Sequence, residues 1–189
     1  MKDAAYCLFE TPLGMCGIAW REFKDSTASC AVTLFQLPES TRERTETRIA
    51  QTSGADARGV PPPSIAAIIE RVRKHLQGEP QDFRDIPVDL GDAGPFVQKV
   101  CQATRRIPPG KTTTYGELAR TLGQPGAVRA VGKALASNPI PLIIPCHRVM
   151  AAHGRPGGFS AHGGRVTKAK LLAIEGATVN LCLEFTKSG

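Results

Sequence analysis

The chain has 189 residues, 41% hydrophobic and 22% charged, with a formal net charge of +7. That length fits one domain or two small ones and buries a real core without disulfide or metal staples. There is no apolar run of 18 or more residues, which excludes a transmembrane helix. The start Met1-Lys2-Asp3-Ala4-Ala5 lacks a signal-peptide pattern, so a cytoplasmic protein is expected, nucleoid-associated if bacterial.

In the first half, two apolar runs, Ala5–Thr11 and Met15–Trp20, flank a Pro12-Leu13-Gly14 turn. They predict a hairpin, with a third strand over Cys30–Phe35. Glu39–Glu46 is polar and predicts a weak helix. The Ser/Gly/Ala/Pro-rich stretch that follows predicts a mobile loop, about 44–62 in all. Apolar residues at 68, 69, 72 and 76 predict a helix over Ala66–Leu76 that ends before Gly78. His75 is expected at its exposed C-terminal end, where it suits the helix dipole. Ile86–Leu90 reads as an edge strand or linker, and the domain boundary is placed here. Residues 1–90 are then an α/β scaffold and residues 91–189 a second domain.

The second half opens with a helix after Gly94-Pro95, with Phe96, Val97, Val100, Cys101 and Thr104 on one face. Thr114-Tyr115-Gly116-Glu117 is a capping box, worth about 1 kcal/mol. Leu118, Ala119 and Leu122 form the apolar face behind it, and Gly123 ends that helix. After a short Gln124-Pro125-Gly126 link, Ala127–Ser137 carries an apolar stripe (Val128, Val131, Leu135). A second stripe holds Arg129, Lys133 and Ser137. A helix-turn-helix and an ordinary helical hairpin fit this pattern equally. Residues 1–90 are net −2 and residues 91–189 net +9, which suggests a polyanion partner for the second half; solubility alone is the other reading.

The cysteines stand at 7, 16, 30, 101, 146 and 182, with no Cys-x-x-Cys and no zinc-finger spacing. Reduced thiols are expected, with Cys101 and Cys182 structural. Pro141–Ile144 reads as a buried strand leading into Pro145-Cys146-His147-Arg148-Val149. In an extended segment Cys146 and His147 point to opposite faces, so His147 would act on the thiol through a water or a bend. A buried, inert cysteine is the commoner fate of such a residue. The glycine-rich loop 154–164 lacks phosphate-loop spacing, so no nucleotide site is expected. In the final helix, Val166–Gly176, Glu175 falls beside Leu171 and Leu172. If buried it needs a partner, and His147 is the candidate. Thr178–Phe185 is expected as a last short strand.

Ile143–Val149 closely resembles the active-site segment of the methylated-DNA–protein-cysteine methyltransferases. Thr112–Ala119 and Ala130–Pro139 match further segments of that family. The resemblance is strong from about Phe96 to Gly176 and loose over the first 90 residues. It implies an α/β (α+β) protein with a ribonuclease H-like N-terminal domain holding an antiparallel sheet. The C-terminal domain would be winged helix-turn-helix-like. It implies a DNA repair protein that flips alkylated guanine out of duplex DNA and transfers the alkyl group from oxygen-6 to Cys146, once per molecule. Methylated thymine oxygen-4 is a further candidate substrate.

By the same resemblance His147 deprotonates Cys146 through a water and Glu175 orients the imidazole. Tyr115 pushes on the target phosphate and donates a proton. Arg129 fills the gap left by the base. Asn138 ties the second helix to the cysteine segment. Thr114, Lys133 and Ser137 join the DNA contacts. Cys146 and Val149 carbonyls and Ser160 contact the base, and Phe159 packs on it where the family often has Tyr. The loop Ser160–Gly164 differs in length; His153 and His162 are expected to be exposed. Some relatives carry an N-terminal zinc, but Cys7, Cys30 and His75 match no ligand spacing, so no metal and no other cofactor is expected. The partner implied is double-stranded DNA with alkylated guanine, bound by a monomer with no membrane association. Lesion-binding relatives without repair activity have another residue at the cysteine position, and a transcription regulator would need DNA-binding modules for which this length leaves little room.

Overall fold

The computed structural model describes residues 4–23, 30–55 and 57–177. The expected last strand and Cys182 lie outside them. Strands β1 (Ala4–Thr11) and β2 (Gly14–Glu22) form the expected hairpin, with Cys7 opposite Ile18 and Phe9 opposite Cys16. β3 (Cys30–Gln36) pairs antiparallel with β2. A two-residue strand β4 (Ala57–Arg58) adds parallel to β1, giving the order β3-β2-β1-β4. Side chains alternate across this sheet, as a pleated strand requires. Tyr6 and Ala19 meet Ile49 on one face; Cys7, Phe9, Ile18 and Trp20 join the main core on the other.

Helix α1 (Arg42–Thr52) covers the first face. It corrects the loop expected over about 44–62. Thr41 caps the helix by accepting from the Arg44 amide, and Ile49 is fully buried. One cap and two buried residues, Thr45 and Ile49, outweigh a polar composition. Helix α2 (Pro63–Leu76) covers the other face through Ile65, Ile68, Ile69 and Val72. Val88 bridges in parallel to Val32, so the Ile86–Leu90 segment extends the sheet beyond β3.

Helix α3 (Pro95–Arg105) buries Val100, Cys101 and Thr104. β5 (Thr113–Thr114) runs into α4 (Tyr115–Thr121), whose capping box is complete: Thr114 Oγ1 accepts from the Glu117 amide at 3.1 Å, and Glu117 accepts from the Thr114 amide at 2.7 Å. Helix α5 (Val128–Ala136) follows. Its inner face packs with α3 and α4 around Cys146 and Val149.

The apolar run before the cysteine is not a strand. Ile140–Ile144 makes a tight turn closed by the Ile144 amide on the Ile140 carbonyl at 2.9 Å, with Leu142 in the left-handed region at φ 73°. For a residue with a Cβ that conformation costs about 1–2 kcal/mol. Full burial of the Leu142 side chain holds it there. Cys146–Arg148 then forms one 3-10 turn, which corrects the extended geometry expected for Cys146 and His147. β6 (Val149–Met150) pairs in parallel with β5, and α6 (Arg165–Ile174) closes the described chain.

One core joins the two halves. Ile140, Leu142, Ile143, Ile144, Cys101 and Leu171 pack with the sheet and α2. The Phe35 amide donates to the Pro139 carbonyl at 2.9 Å. Ile144→Ala, far in sequence from the sheet, is expected to lower the unfolding free energy by about 2–5 kcal/mol. Urea unfolding followed by Trp20 fluorescence checks this. The transition should move to lower urea although Trp20 lies in β2.

Candidate active site

The backbone before the thiol is set by Pro145. Its φ of −79° and ψ of 64° make an inverse γ-turn, closed by the Cys146 amide on the Ile144 carbonyl at 2.7 Å. Asn138, just beyond α5, locks the same segment. Its Nδ2 donates to the Ile144 carbonyl at 2.9 Å, and its Oδ1 accepts from the Ile140 amide at 3.0 Å. Cys146 is thereby placed on the wall of a cleft of about 450 Å³, shared with Tyr115, Gly132, Leu135, Phe159 and Ser160. A larger cleft of about 580 Å³ lies between the Ile86–Leu90 segment and α3. It holds no nucleophile paired with a base.

Behind the thiol lies a buried polar cluster centred on Glu175, which caps α6. Glu175 Oε1 takes three partners: His147 Nε2 at 2.7 Å, His75 Nε2 at 3.0 Å and Arg148 Nη2 at 2.8 Å. Oε2 accepts from Arg148 Nε at 2.9 Å. A further Arg148 nitrogen donates to the Ile107 carbonyl at 2.6 Å. His75, His147, Arg148 and Glu175 are all buried. His75 corrects the exposed position expected of it, because the end of α2 is covered by Glu175 and by the Phe83 ring.

Burial alone would push the Glu175 carboxyl up, but the hydrogen bonds from His147, His75 and Arg148 hold it well below the usual carboxylate range. Burial pushes the His147 imidazole down, against the pull of Glu175. A neutral His147 donating through Nε2 leaves Nδ1 as a free acceptor, and that buried nitrogen has no partner. Burial also pushes the Cys146 thiol up, opposed by the Asn138 side chain and the Lys168 ammonium. The resting thiol is therefore protonated at neutral pH and needs a base.

Two further groups stand near it. Lys168 is fully buried; its Nζ donates to the Val149 carbonyl at 2.6 Å and lies 6.0 Å from the Tyr115 ring centre. Burial pushes its pKa down to about 8. Tyr115 is half-buried, and burial, with Cys146 next, raises its phenol, so it stays a proton donor. Gly157, at φ 65°, passes so close that a Cβ there would meet the Tyr115 ring at 3.2 Å. The loop therefore reaches the cleft only with glycine at this point.

Of the residues singled out in the sequence, Cys146, Tyr115, Phe159 and Ser160 share the cleft. His147 and Glu175 stand behind it. Val149 does not line it; its side chain is fully buried, and its carbonyl already accepts from Lys168. Thr114 serves the α4 cap. Arg129 and Lys133 are exposed on α5, and Ser137 is exposed at its C-cap. His153 and His162 are exposed, and His162 Nδ1 lies 3.6 Å from Glu39. Sequence reasoning missed Arg148, Lys168 and His75. Arg148 and Lys168 carried a signal, being cations in largely apolar surroundings; His75 carried none. No group of three or more His, Cys, Asp or Glu side chains among the described residues is arranged to hold a metal ion, and no helix there is long and apolar enough to cross a membrane.

A buried thiol, an adjacent neutral histidine bonded to a carboxylate, and a cleft beside two short helices define the class of proteins with a cysteine nucleophile. A family model described as the 6-O-methylguanine DNA methyltransferase DNA binding domain matches residues 95–177. The methylated-DNA–protein-cysteine methyltransferase of Mycolicibacterium paratuberculosis is 42% identical over 114 residues, 60% of this chain and 67% of that protein. The one from Metallosphaera sedula is 38% identical over 118 residues, covering 62% and 72%. The solved O6-methylguanine methyltransferase of Mycobacterium tuberculosis superposes with a TM-score of 0.69 at 32% identity, over 92% of this chain and 93% of that one. The M. tuberculosis OGT solved in complex with DNA gives 0.68 at 30% identity, over 91% and 92%. The chain belongs to the methylated-DNA–protein-cysteine methyltransferase family.

Glu175→Gln would leave Arg148 and His147 facing a neutral amide in a buried site. It is expected to lower the unfolding free energy by about 3–5 kcal/mol, read by urea titration. The pH dependence follows from His147, which titrates near about 6.5 in the unfolded chain and lower in the folded one. Its contribution to stability is present above about 6.5 and is lost as pH falls through the folded value. Unfolding free energy should therefore drop on acidification below about pH 6.5, less steeply in His147→Gln.

Proposed function

We propose that the protein repairs double-stranded DNA carrying alkylated guanine by one irreversible transfer of the alkyl group from guanine oxygen-6 to Cys146. The observation that carries this is Cys146 on the wall of a cleft, backed by a histidine whose only unpartnered nitrogen is an acceptor. The names of the relatives support the same reaction.

The reacting carbon is out of reach in a stacked duplex, so the base must be turned out, at about a few kcal/mol, less for a damaged pair. The alkyl-bearing guanine enters between Tyr115 and Phe159 and meets Ser160. The Cys146 proton passes through a water to His147 Nδ1, and Glu175 stabilises the imidazolium that forms. The sulfur attacks the alkyl carbon and the carbon–oxygen bond breaks. The electron pair stays on the guanine, where the protonated Tyr115 phenol supplies a proton to the ring. The products are guanine in DNA and a Cys146 thioether. A thioether has no ready leaving group, so each molecule turns over once. No cofactor enters this scheme, and methylated thymine fits it as a second substrate.

We read the sheet with α1 and α2 as ribonuclease H-like, and α4, α5 and the β5–β6 pair as a winged helix-turn-helix. Residues 1–90 serve as scaffold and residues 91–189 bind DNA and transfer the alkyl group, as a monomer. Arg129 enters the duplex in place of the base. Lys133, Ser137 and Thr114 contact the backbone, and the +9 charge of residues 91–189 favours the polyanion. Asn138 keeps α5 and the thiol in one rigid unit.

Incubation with a duplex holding one methylated guanine, followed by intact and peptide mass spectrometry, is expected to show one added methyl group on Cys146 and none in Cys146→Ala. Tight lesion binding with no mass change in the wild type would instead make this a recognition protein. Lys133→Ala should weaken binding to all duplexes alike and lower the slope of log affinity against log salt by about 0.9 if Lys133 meets one phosphate.

A further inference from the structure

We infer that His75 is a positioning residue for alkyl transfer, supplied by the N-terminal half to the carboxylate that orients His147, an inference that rests on the alkyl-transfer reading. His75 lies outside residues 95–177, the stretch the family model matches. It stands 100 positions before Glu175 in the chain, yet its Nε2 lies 3.0 Å from Glu175 Oε1, with both side chains 1% exposed. Its tautomer is fixed by its other nitrogen. The Gln81 amide donates to His75 Nδ1 at 3.1 Å, so the ring proton sits on Nε2 and points at the carboxylate. The Phe83 ring, centred 5.1 Å away, covers the imidazole and sets its plane.

Glu175 caps α6, where its amide donates to the Leu171 carbonyl at 3.2 Å; the backbone is fixed there, and the aim of the carboxylate is left to the groups that bond it. Arg148 grips both oxygens from the cysteine segment. That grip fixes the plane of the carboxylate, while His75 adds a restraint from α2. Together they keep Oε1 in line with His147 Nε2 and so fix the ring whose Nδ1 takes the thiol proton in the proposed reaction. The charged and titratable groups facing His75 are Glu175, His147 and Arg148. Removing the His75 donor leaves Oε1 held by Arg148 and His147 alone and lets the carboxylate shift within its plane. Small misplacements of this kind slow chemistry by about ten- to a hundredfold.

The test is the single-turnover rate constant of methyl transfer at saturating lesion duplex, with duplex affinity and melting temperature measured alongside. His75→Phe keeps the ring against Phe83 and removes both nitrogens. His75→Gln places an amide N–H near the position of Nε2, whereas the shorter His75→Asn cannot reach Glu175. The expected result is transfer slowed about tenfold or more in the Phe and Asn variants, with affinity unchanged, and recovery to within about threefold of wild type in the Gln variant. If the Phe variant does not fold, the Gln and Asn pair decides the question. Wild-type rates in Phe or Asn overturn the inference, and so does equal slowing in Gln and Asn. No transfer by the wild type overturns the alkyl-transfer reading itself, and this inference with it.

Discussion

A single buried carboxylate holds the site together. An isolated ionised carboxyl in a low-dielectric interior is strongly unfavourable. Glu175 stays charged because two imidazoles and a guanidinium surround it. The partners come from two places: His75 from the end of α2, and His147 and Arg148 from the 3-10 turn, with Arg148 also bound to the Ile107 carbonyl after α3. The charge therefore ties together segments that the apolar core only brings near each other. Such a cluster stabilises little in net terms, since desolvation offsets most of the attraction. Its effect is specificity: only one arrangement of these segments satisfies every donor.

The thiol depends on that arrangement through a chain of tight turns. The left-handed Leu142, the inverse γ-turn at Pro145 and the 3-10 turn at Cys146–Arg148 pack three changes of direction into seven residues. None is favourable alone. Burial of Ile140, Leu142, Ile143 and Ile144 in the shared core, with the two Asn138 hydrogen bonds, holds them. The sulfur is positioned by backbone geometry, and the His147 ring by that geometry together with its bond to Glu175.

Local features were legible in the sequence. The hairpin at Pro12-Leu13-Gly14, the capping box at Thr114 and Glu117 and the stripes of α2, α3 and α5 all depend on residues a few positions apart. The Cys146–His147 pair was legible as a motif; the burial of Glu175 was not, since such a glutamate is usually exposed, but His147 was legible as its partner should it be buried. Two kinds of information were not. An apolar run has no period, so Pro141–Ile144 reads as a strand, and only the core shows that it turns. The place of His75 depends on how α2 meets α6, a relation no local pattern encodes. On its own helix it sits among Arg73, Lys74 and Gln77, and polarity there reads as solvent. The α1 region erred the other way, because two buried residues and one threonine cap sufficed to order a stretch whose composition reads as loop.

The electrostatics around the sulfur explain how a nucleophile can wait without reacting. Burial keeps Cys146 protonated and His147 neutral, so the resting pair carries no charge. In the proposed reaction, moving the proton creates a thiolate and an imidazolium together. Glu175 already faces the imidazolium, and the Lys168 ammonium, hydrogen-bonded to the Val149 carbonyl, lies on the thiolate side and favours the negative sulfur. The separated charges are thus met by groups fixed before the reaction begins, and little reorganisation is needed. The same burial leaves the thiol little exposed to solvent. For a protein that reacts once, that restraint matters as much as reactivity, because any stray alkylation or oxidation of Cys146 ends its activity.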